Sequence, residues 1–296
     1  MSNRRVKLSG HQTFSLRYGW LEKGYAFLAN GKSFSHESAI VDLGVGKNMV
    51  DSIKYWCDLT GIIDGDVVSD FGKKLLDEEL GWDPFLEDQA SWWLLHWKLI
   101  TNPNYKTSGT ALFSCLRKPE FSKQDVAEAV LRFVDAGKKA PSDNVIMRDV
   151  DCYVRSYCGT RRFEKKSSGD ESFGCPLQEL NLIQAMSGGD FYRFSIGTKA
   201  SLPAEIVGYA ICECFGHENK NVMTIQSVLY KEGSPGQVFM LNENALVEAV
   251  QELHESPRWG KDFNFTESAG IAQVHCNIPY DEAEKLLDGY YDRERM

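Results

Sequence analysis

No stretch of this sequence approaches the roughly 20 apolar residues that a membrane-spanning helix needs. No apolar run follows the basic start Arg4, Arg5 and Lys7, as a secretory signal would require. A cytoplasmic protein with no membrane association is therefore expected. None of the eight cysteines stands in a Cys-x-x-Cys pair, and their scatter is that of reduced intracellular thiols rather than a disulfide framework. Cys152, Cys158, Cys175, Cys212, Cys214 and His217 are zinc-ligand types, but their spacing is not that of a structural zinc site, and no structural metal is expected. Bases are outnumbered, 33 Lys and Arg against 42 Asp and Glu for a net charge of -9, which excludes a protein that coats nucleic acid over its whole surface. A phosphate loop is absent too. Around Gly44-Val45-Gly46-Lys47, Val41 stands where the first Gly is needed, and Asn48 where Ser or Thr would bind magnesium. No internal repeat is evident.

What charge there is lies unevenly. Residues 1–60 hold eight Lys or Arg against five acids, whereas residues 236–296 hold twelve acids against five bases. A nucleic-acid face would belong to the front of the chain, and the acidic end would meet a protein or stay solvated.

The stretch from Ser35 to Val68 reads as helix, tight turn, longer helix and two-strand hairpin, the order of a winged helix-turn-helix. Ser35 can cap the first helix, with Glu37 in its first turn and Ala39, Ile40 and Leu43 inward. Gly44-Val45-Gly46 makes the turn. From Lys47 to about Leu59 the residues Met49, Val50, Ile53, Trp56 and Cys57 recur at three- and four-residue steps and predict one buried stripe. The other side carries Lys47, Asn48, Asp51, Ser52, Lys54 and Tyr55. Lys47, Asn48, Ser52, Lys54 and Tyr55 are the expected DNA contacts, and Asp51 among them opposes phosphate. Gly61 stops this helix, and Ile62-Ile63, Asp64-Gly65-Asp66 and Val67-Val68 come next as strand, turn and strand. Such a helix pair also occurs in domains that never touch DNA. Upstream, Arg17 lies among Phe14 and Trp20, where it can stack on rings or hold a phosphate, and it is counted with the DNA contacts. His11 is read chiefly as a packing residue.

The length admits two or three cores. The fold class expected is mainly α with small β-hairpins, an α+β protein: a winged helix-turn-helix domain over 1–118, a helical domain with a basic loop over 119–200, and over 201–296 an acidic α+β domain that could also be winged-helix-like. The run Trp92 to Ile100 is apolar almost all round and predicts a central buried helix with His96 as a core histidine. Ser122 with Asp125 forms a capping-box variant, Ser142 caps the next helix, and this pair could be a second helix-turn-helix flanked by Arg148, Arg155, Arg161, Arg162, Lys165 and Lys166. Asp149 and Asp151, two apart on one helix, point in different directions and suit no shared ion.

Four groups of residues share the order and spacing of a known family. They are His11-Gln12-Thr13-Phe14 with Arg17 and Gly19-Trp20-Leu21; Gly44-Val45-Gly46-Lys47-Asn48-Met49-Val50 with Ile53 and Trp56; Asp83-Pro84-Phe85-Leu86-Glu87-Asp88 leading to Trp93-Leu94-Leu95-His96; and Ser234-Pro235-Gly236 with Phe239, Leu241 and Glu243. In these the chain resembles the SspB-like family of bacterial single-stranded DNA phosphorothioation systems, encoded beside a cysteine desulfurase, an ATPase and a sulfur-transfer enzyme. Those systems replace a non-bridging phosphate oxygen of DNA with sulfur and use the mark in phage defence. The resemblance implies a DNA-binding component that nicks one strand to allow sulfur insertion, using Mg or Mn, with double-stranded DNA and the three other proteins as partners. It transfers no catalytic residue, and Asp51 and Cys57 depart from the basic or aliphatic residues expected there. The alternative is a non-enzymatic DNA-binding adaptor or transcriptional regulator that recruits partner proteins.

Overall fold

The computed structural model describes residues 4–133, 141–159, 174–268 and 270–294. The chain is an α+β protein of two units, Met1–Ser195 and Ile196–Met296. In the first unit the order is β1 Arg5–Val6, α1 Trp20–Ala29, α2 Ala39–Leu43, α3 Lys47–Leu59, β2 Ile63–Asp64, β3 Val67–Val68, α4 Asp70–Leu76, α5 Gln89–Thr101, β4 Tyr105–Lys106 and α6 Ser108–Thr110, which runs on into a π turn. β5 Glu120–Ser122, α7 Lys123–Leu131, α8 Asp143–Tyr157, β6 Ile183–Ala185 and β7 Phe191–Phe194 complete it. The second unit holds α9 Ala204–Glu218, β8 Val222–Thr224, α10 Ile225–Tyr230, α11 Pro235–Val238, α12 Glu243–Glu255, β9 Phe263–Ser268, β10 Ile271–Cys276 and α13 Lys285–Glu294. Among the described residues no helix is long and apolar enough to cross a membrane.

The core of the first unit is built round α5. Its run from Trp92 to Trp97 is buried on every side, as an unbroken apolar helix must be, and His96 satisfies its Nδ1 on the Tyr157 hydroxyl at 2.7 Å. The boundary expected near residue 118 falls inside this unit. Phe113 lies before it, yet packs on Tyr157 and Phe194 at ring-centroid distances of 4.5 and 5.9 Å, and β5 pairs antiparallel with β7. Residues on both sides of Asn102-Pro103-Asn104 thus share one core, His96 packing on Phe113 at 4.8 Å, which local turn residues do not register. The second unit forms a three-stranded antiparallel sheet in the order β8-β10-β9, with the Thr224 and Asn242 side chains capping α10 and α12.

Local rules set the ends of α2 and α3. Gly44 and Gly61 both adopt left-handed backbone, and each closes a pair of bonds back onto the preceding turn: Val45 N–H to Ile40 O with Gly44 N–H to Val41 O, and Ile62 N–H to Cys57 O with Gly61 N–H to Asp58 O. The first helix is shorter than expected. Its N-cap is Ser38 rather than Ser35, whose hydroxyl instead donates to Asp66, and Ile40 faces solvent rather than the core.

One side chain in this core is poorly provided for. Glu22, in the first turn of α1, has its Oε2 buried without a hydrogen-bond partner, and burial, with Asp83 nearby, pushes its carboxyl up to about 7. An acid whose folded pKa is raised holds its proton more tightly when folded, so stability falls as pH rises from the unfolded value through the folded one. Glu22→Gln should therefore leave the thermal midpoint nearly unchanged at pH 4.5 and raise it at pH 8, where the ionised carboxylate costs up to about 3 kcal/mol. Scanning calorimetry of both proteins at the two pH values measures this, and an equal shift at both would reject it.

Candidate nucleic-acid interface

α2, the Gly44-Val45-Gly46 turn, α3 and the β2–β3 hairpin succeed one another as the sequence predicts, with register Ile63↔Val68 and Asp64↔Val67 about a Gly65-Asp66 turn. Val50, Ile53, Trp56 and Cys57 form the buried stripe of α3, while Met49 is only half-buried. The opposite side of the helix is open only at its start. Lys47, Asn48 and Asp51 are exposed, and the helix begins at Gly46 in extended backbone with no side-chain cap. An uncapped N-terminus leaves backbone N–H groups and the positive end of the helix dipole directed outward beside Lys47.

Two residues expected on that open face are in the core. Ser52 is fully buried, and Tyr55 is 2 % exposed with its hydroxyl 2.9 Å from that of Tyr153 on α8. Burial holds the Tyr55 phenol well above its usual range, so it stays neutral. Helical periodicity alone places Tyr55 outside because the residues that cover it are distant in sequence: the N-terminal segment around Gly10 and His11, and α8. A Cβ at Gly10 would run into the Tyr55 ring. Lys54 is half-buried and bonded at 2.7 Å to Asp66 at the tip of the hairpin, which also accepts from Ser33 and Ser35. The Lys54 hydrogen bond is the main reason the Asp66 carboxyl is held below its usual range. Lys32 is likewise paired with Asp42 at 3.0 Å. Arg17 stacks on Phe14 and Trp20, its guanidinium carbon 5.5 and 5.4 Å from the ring centroids. The structure thus brings Lys47 and Asn48 together at the helix start, commits Lys54 to the hairpin, places Arg17 on its rings, and removes Ser52 and Tyr55.

The covering segment holds what the sequence concealed. His11 Nδ1 accepts the Thr13 N–H at 3.0 Å, so the neutral ring carries its proton on Nε2 and donates it to Asp149 Oδ1 at 2.8 Å. Asp149 also accepts from Ser9 N–H at 2.5 Å and from the Ser108 hydroxyl at 2.6 Å, and its carboxylate lies out of water. Round this anchor Ser9, Gln12 and Thr13 take left-handed backbone, uncommon for residues other than Gly, while Arg155 donates to Thr13 O. Asp151 points the other way, to Lys123 and Arg155. Arg148 is exposed, whereas Arg161, Arg162, Lys165 and Lys166 lie outside the described residues.

Neither obvious carboxylate suits a magnesium ion. Asp149 has its oxygens taken by three donors, and Asp83, which faces Glu22, accepts from the Glu87 and Asp88 N–H groups and from Ser91. Among the described residues no three His, Cys, Asp or Glu side chains gather as a metal group. A magnesium held by one or two carboxylates, water and phosphate oxygens needs no such group.

These features define an α+β protein whose first unit presents a helix, a Gly-Val-Gly turn, a second helix with an open start, and a pinned hairpin. The family model described as "Protein of unknown function (DUF4007)" matches residues 8–291, and the chain belongs to that family. It is similar to two solved structures at 27 % identity. One is described as the magnesium ion-bound SspB crystal structure, with a TM-score of 0.83 over 99 % of this chain and 90 % of that one. The other is an SspB crystal structure, with a TM-score of 0.81 over 99 % of this chain and 91 % of that one. No curated protein matches the chain.

Because Asp149 serves three donors, of which His11 and Ser108 are buried, Asp149→Ala should strand those two and destabilise the first unit by about 3–5 kcal/mol. Urea unfolding followed by tryptophan fluorescence measures the loss. A change under about 1 kcal/mol would mean that the network contributes little.

Proposed function

We propose that this protein is the DNA-binding component of a DNA phosphorothioate modification and phage-defence system, and that it nicks one strand of duplex DNA with Mg or Mn to allow sulfur insertion. The observation that carries this reading is the similarity to SspB along nearly the whole chain, one of the two solved structures being a magnesium-bound form. The physical support is local. The α2–turn–α3–hairpin order suits a winged helix-turn-helix, with the start of α3 entering the groove and the hairpin as wing. Lys47 and the free end of the helix dipole favour phosphate, Asn48 can hydrogen-bond a base edge, and Arg17 is pre-oriented by its two rings. When bound, the metal would stabilise charge on the scissile phosphate and its attacking oxygen. No residue is assigned to hold it. The ATPase, sulfur-transfer enzyme and cysteine desulfurase of such a system are the proposed partners, and the cytoplasm the proposed location.

A second reading, a non-enzymatic DNA-binding adaptor, is favoured by one observation. With Ser52 and Tyr55 buried and Lys54 tied to Asp66, α3 offers little for reading sequence or for clamping a reacting strand.

Supercoiled plasmid incubated with Mg or Mn separates the two. The first reading expects open-circular product; the second expects binding without cutting. In either case affinity should fall with salt, and Lys47→Glu should weaken binding and lower the salt slope by at least about 1. No salt-dependent binding and no open-circular product would remove both.

A further inference from the structure

Two large apolar side chains of the first unit stand in water on one loop between α4 and α5: Leu80 at 81 % exposure and Phe85 at 70 %. Both are held out by ordered backbone. Asp77 Oδ1 accepts the Glu79 and Leu80 N–H groups at 3.1 and 3.0 Å, and its carbonyl accepts Gly81 N–H at 2.9 Å. The chain then returns to α4 through Trp82 N–H to Lys74 O and Asp83 N–H to Leu75 O. Asp83, nearly buried, accepts Glu87 N–H, Asp88 N–H and the Ser91 hydroxyl at 3.0, 3.0 and 2.6 Å. Between these two turns Leu86 takes a φ of 50°, an outlier for a bulky residue, and is buried with its carbonyl bonded to Trp92 Nε1. The reversal that buries Leu86 turns Phe85 outward.

The same loop is one-signed. Residues 77–88 carry six acids, Asp77, Glu78, Glu79, Asp83, Glu87 and Asp88, and no Lys or Arg. Asp77, Asp83 and Asp88 are engaged with backbone N–H groups, which leaves Glu78, Glu79 and Glu87 exposed on the same loop as the two apolar side chains. We propose that Leu80 and Phe85 form a docking surface for a partner protein that offers an apolar pocket rimmed by Lys or Arg. Apolar side chains held in water by an ordered loop are the kind of anchor that fills a partner's pocket, and the carboxylates supply orientation and charge complementarity. The same carboxylates repel DNA phosphate, and a second copy of a chain of net charge -9 is a poor match for them.

The choice of probes rests on the modification-system reading. The purified full-length chain is titrated against the purified ATPase, sulfur-transfer enzyme and cysteine desulfurase of its system, and in parallel against duplex DNA. Three forms are compared: wild type, Phe85→Ser with Leu80→Ser, and Glu79→Lys with Glu87→Lys. The first pair of changes removes only exposed apolar surface and the second reverses only exposed charge, so both forms should retain the wild-type circular dichroism and thermal midpoint. The expected result is that one of the three proteins binds wild type, loses affinity at least tenfold to each variant, and binds more weakly as salt rises, with DNA affinity undiminished in either variant. Binding of none of the three, or binding that ignores both variants, overturns the docking surface. If DNA binding persists in that case, the reading of the α3 face stands while this one fails. A variant-sensitive loss of DNA affinity, or self-association of wild type abolished by Phe85→Ser, would likewise overturn it.

Discussion

The carboxylate of Asp149 holds the first unit in its observed form. It stands on α8 and accepts from Ser9 N–H, His11 Nε2 and the Ser108 hydroxyl, so one group joins the N-terminal segment, α6 and α8 over sequence separations of up to 140 residues. Excluded from water, an acceptor of this charge is tolerable only because donors surround it, and removing any one partner would be felt by the rest. The arrangement also sets a histidine tautomer. With Thr13 N–H on Nδ1, the ring has one proton to give, and its direction is decided.

The same anchor shapes the neighbouring face. Drawn in by Asp149, the segment around Gly10 and His11 lies against Tyr55, whose hydroxyl meets Tyr153 of α8, and the rings of His11, Tyr55, Trp56 and Tyr153 pack with centroids 5.3–6.2 Å apart. The latter half of α3 is thereby largely enclosed while its first turn stays open. On the proposed reading, DNA meets a helix end rather than a helix side. An end offers a dipole, N–H groups, one lysine and one asparagine, which suits holding a phosphate near a defined place better than reading several bases.

Much of this is legible in the residues. Glycine turns and the 3.6-residue stripe mark α3 and the hairpin, and an unbroken apolar run marks α5, because each is a local consequence of backbone sterics and periodicity. The departures have one physical origin. Helix geometry assigns Ser52, Tyr55 and Ile40 to faces, yet whether a side chain is covered depends on segments folded over it from elsewhere, and neither Gly10 nor α8 announces that it will do so. His11 gives no sign of its partner either, since Asp149 lies far down the chain. The boundary near 118 fails for the same reason: Asn102-Pro103-Asn104 does mark a change of direction, but Ser108 and Gly109 fold into α6 and Phe113 beyond them packs on His96 of α5.

The charge distribution links the two surfaces of the first unit. Of the lysines near α3, Lys32 and Lys54 are neutralised by Asp42 and Asp66, so a phosphate approaching there meets little beyond Lys47 and the helix terminus. A cationic site so small in a chain of net charge -9 can select where DNA approaches only if the rest of the surface rejects it. On the proposed reading carboxylates act in two ways: they discourage phosphate away from the start of α3, and on the loop that exposes Leu80 and Phe85 they favour a protein of opposite charge. An acidic protein can, on this argument, work beside DNA without being coated by it, its contacts with nucleic acid few and its contacts with partners directed elsewhere.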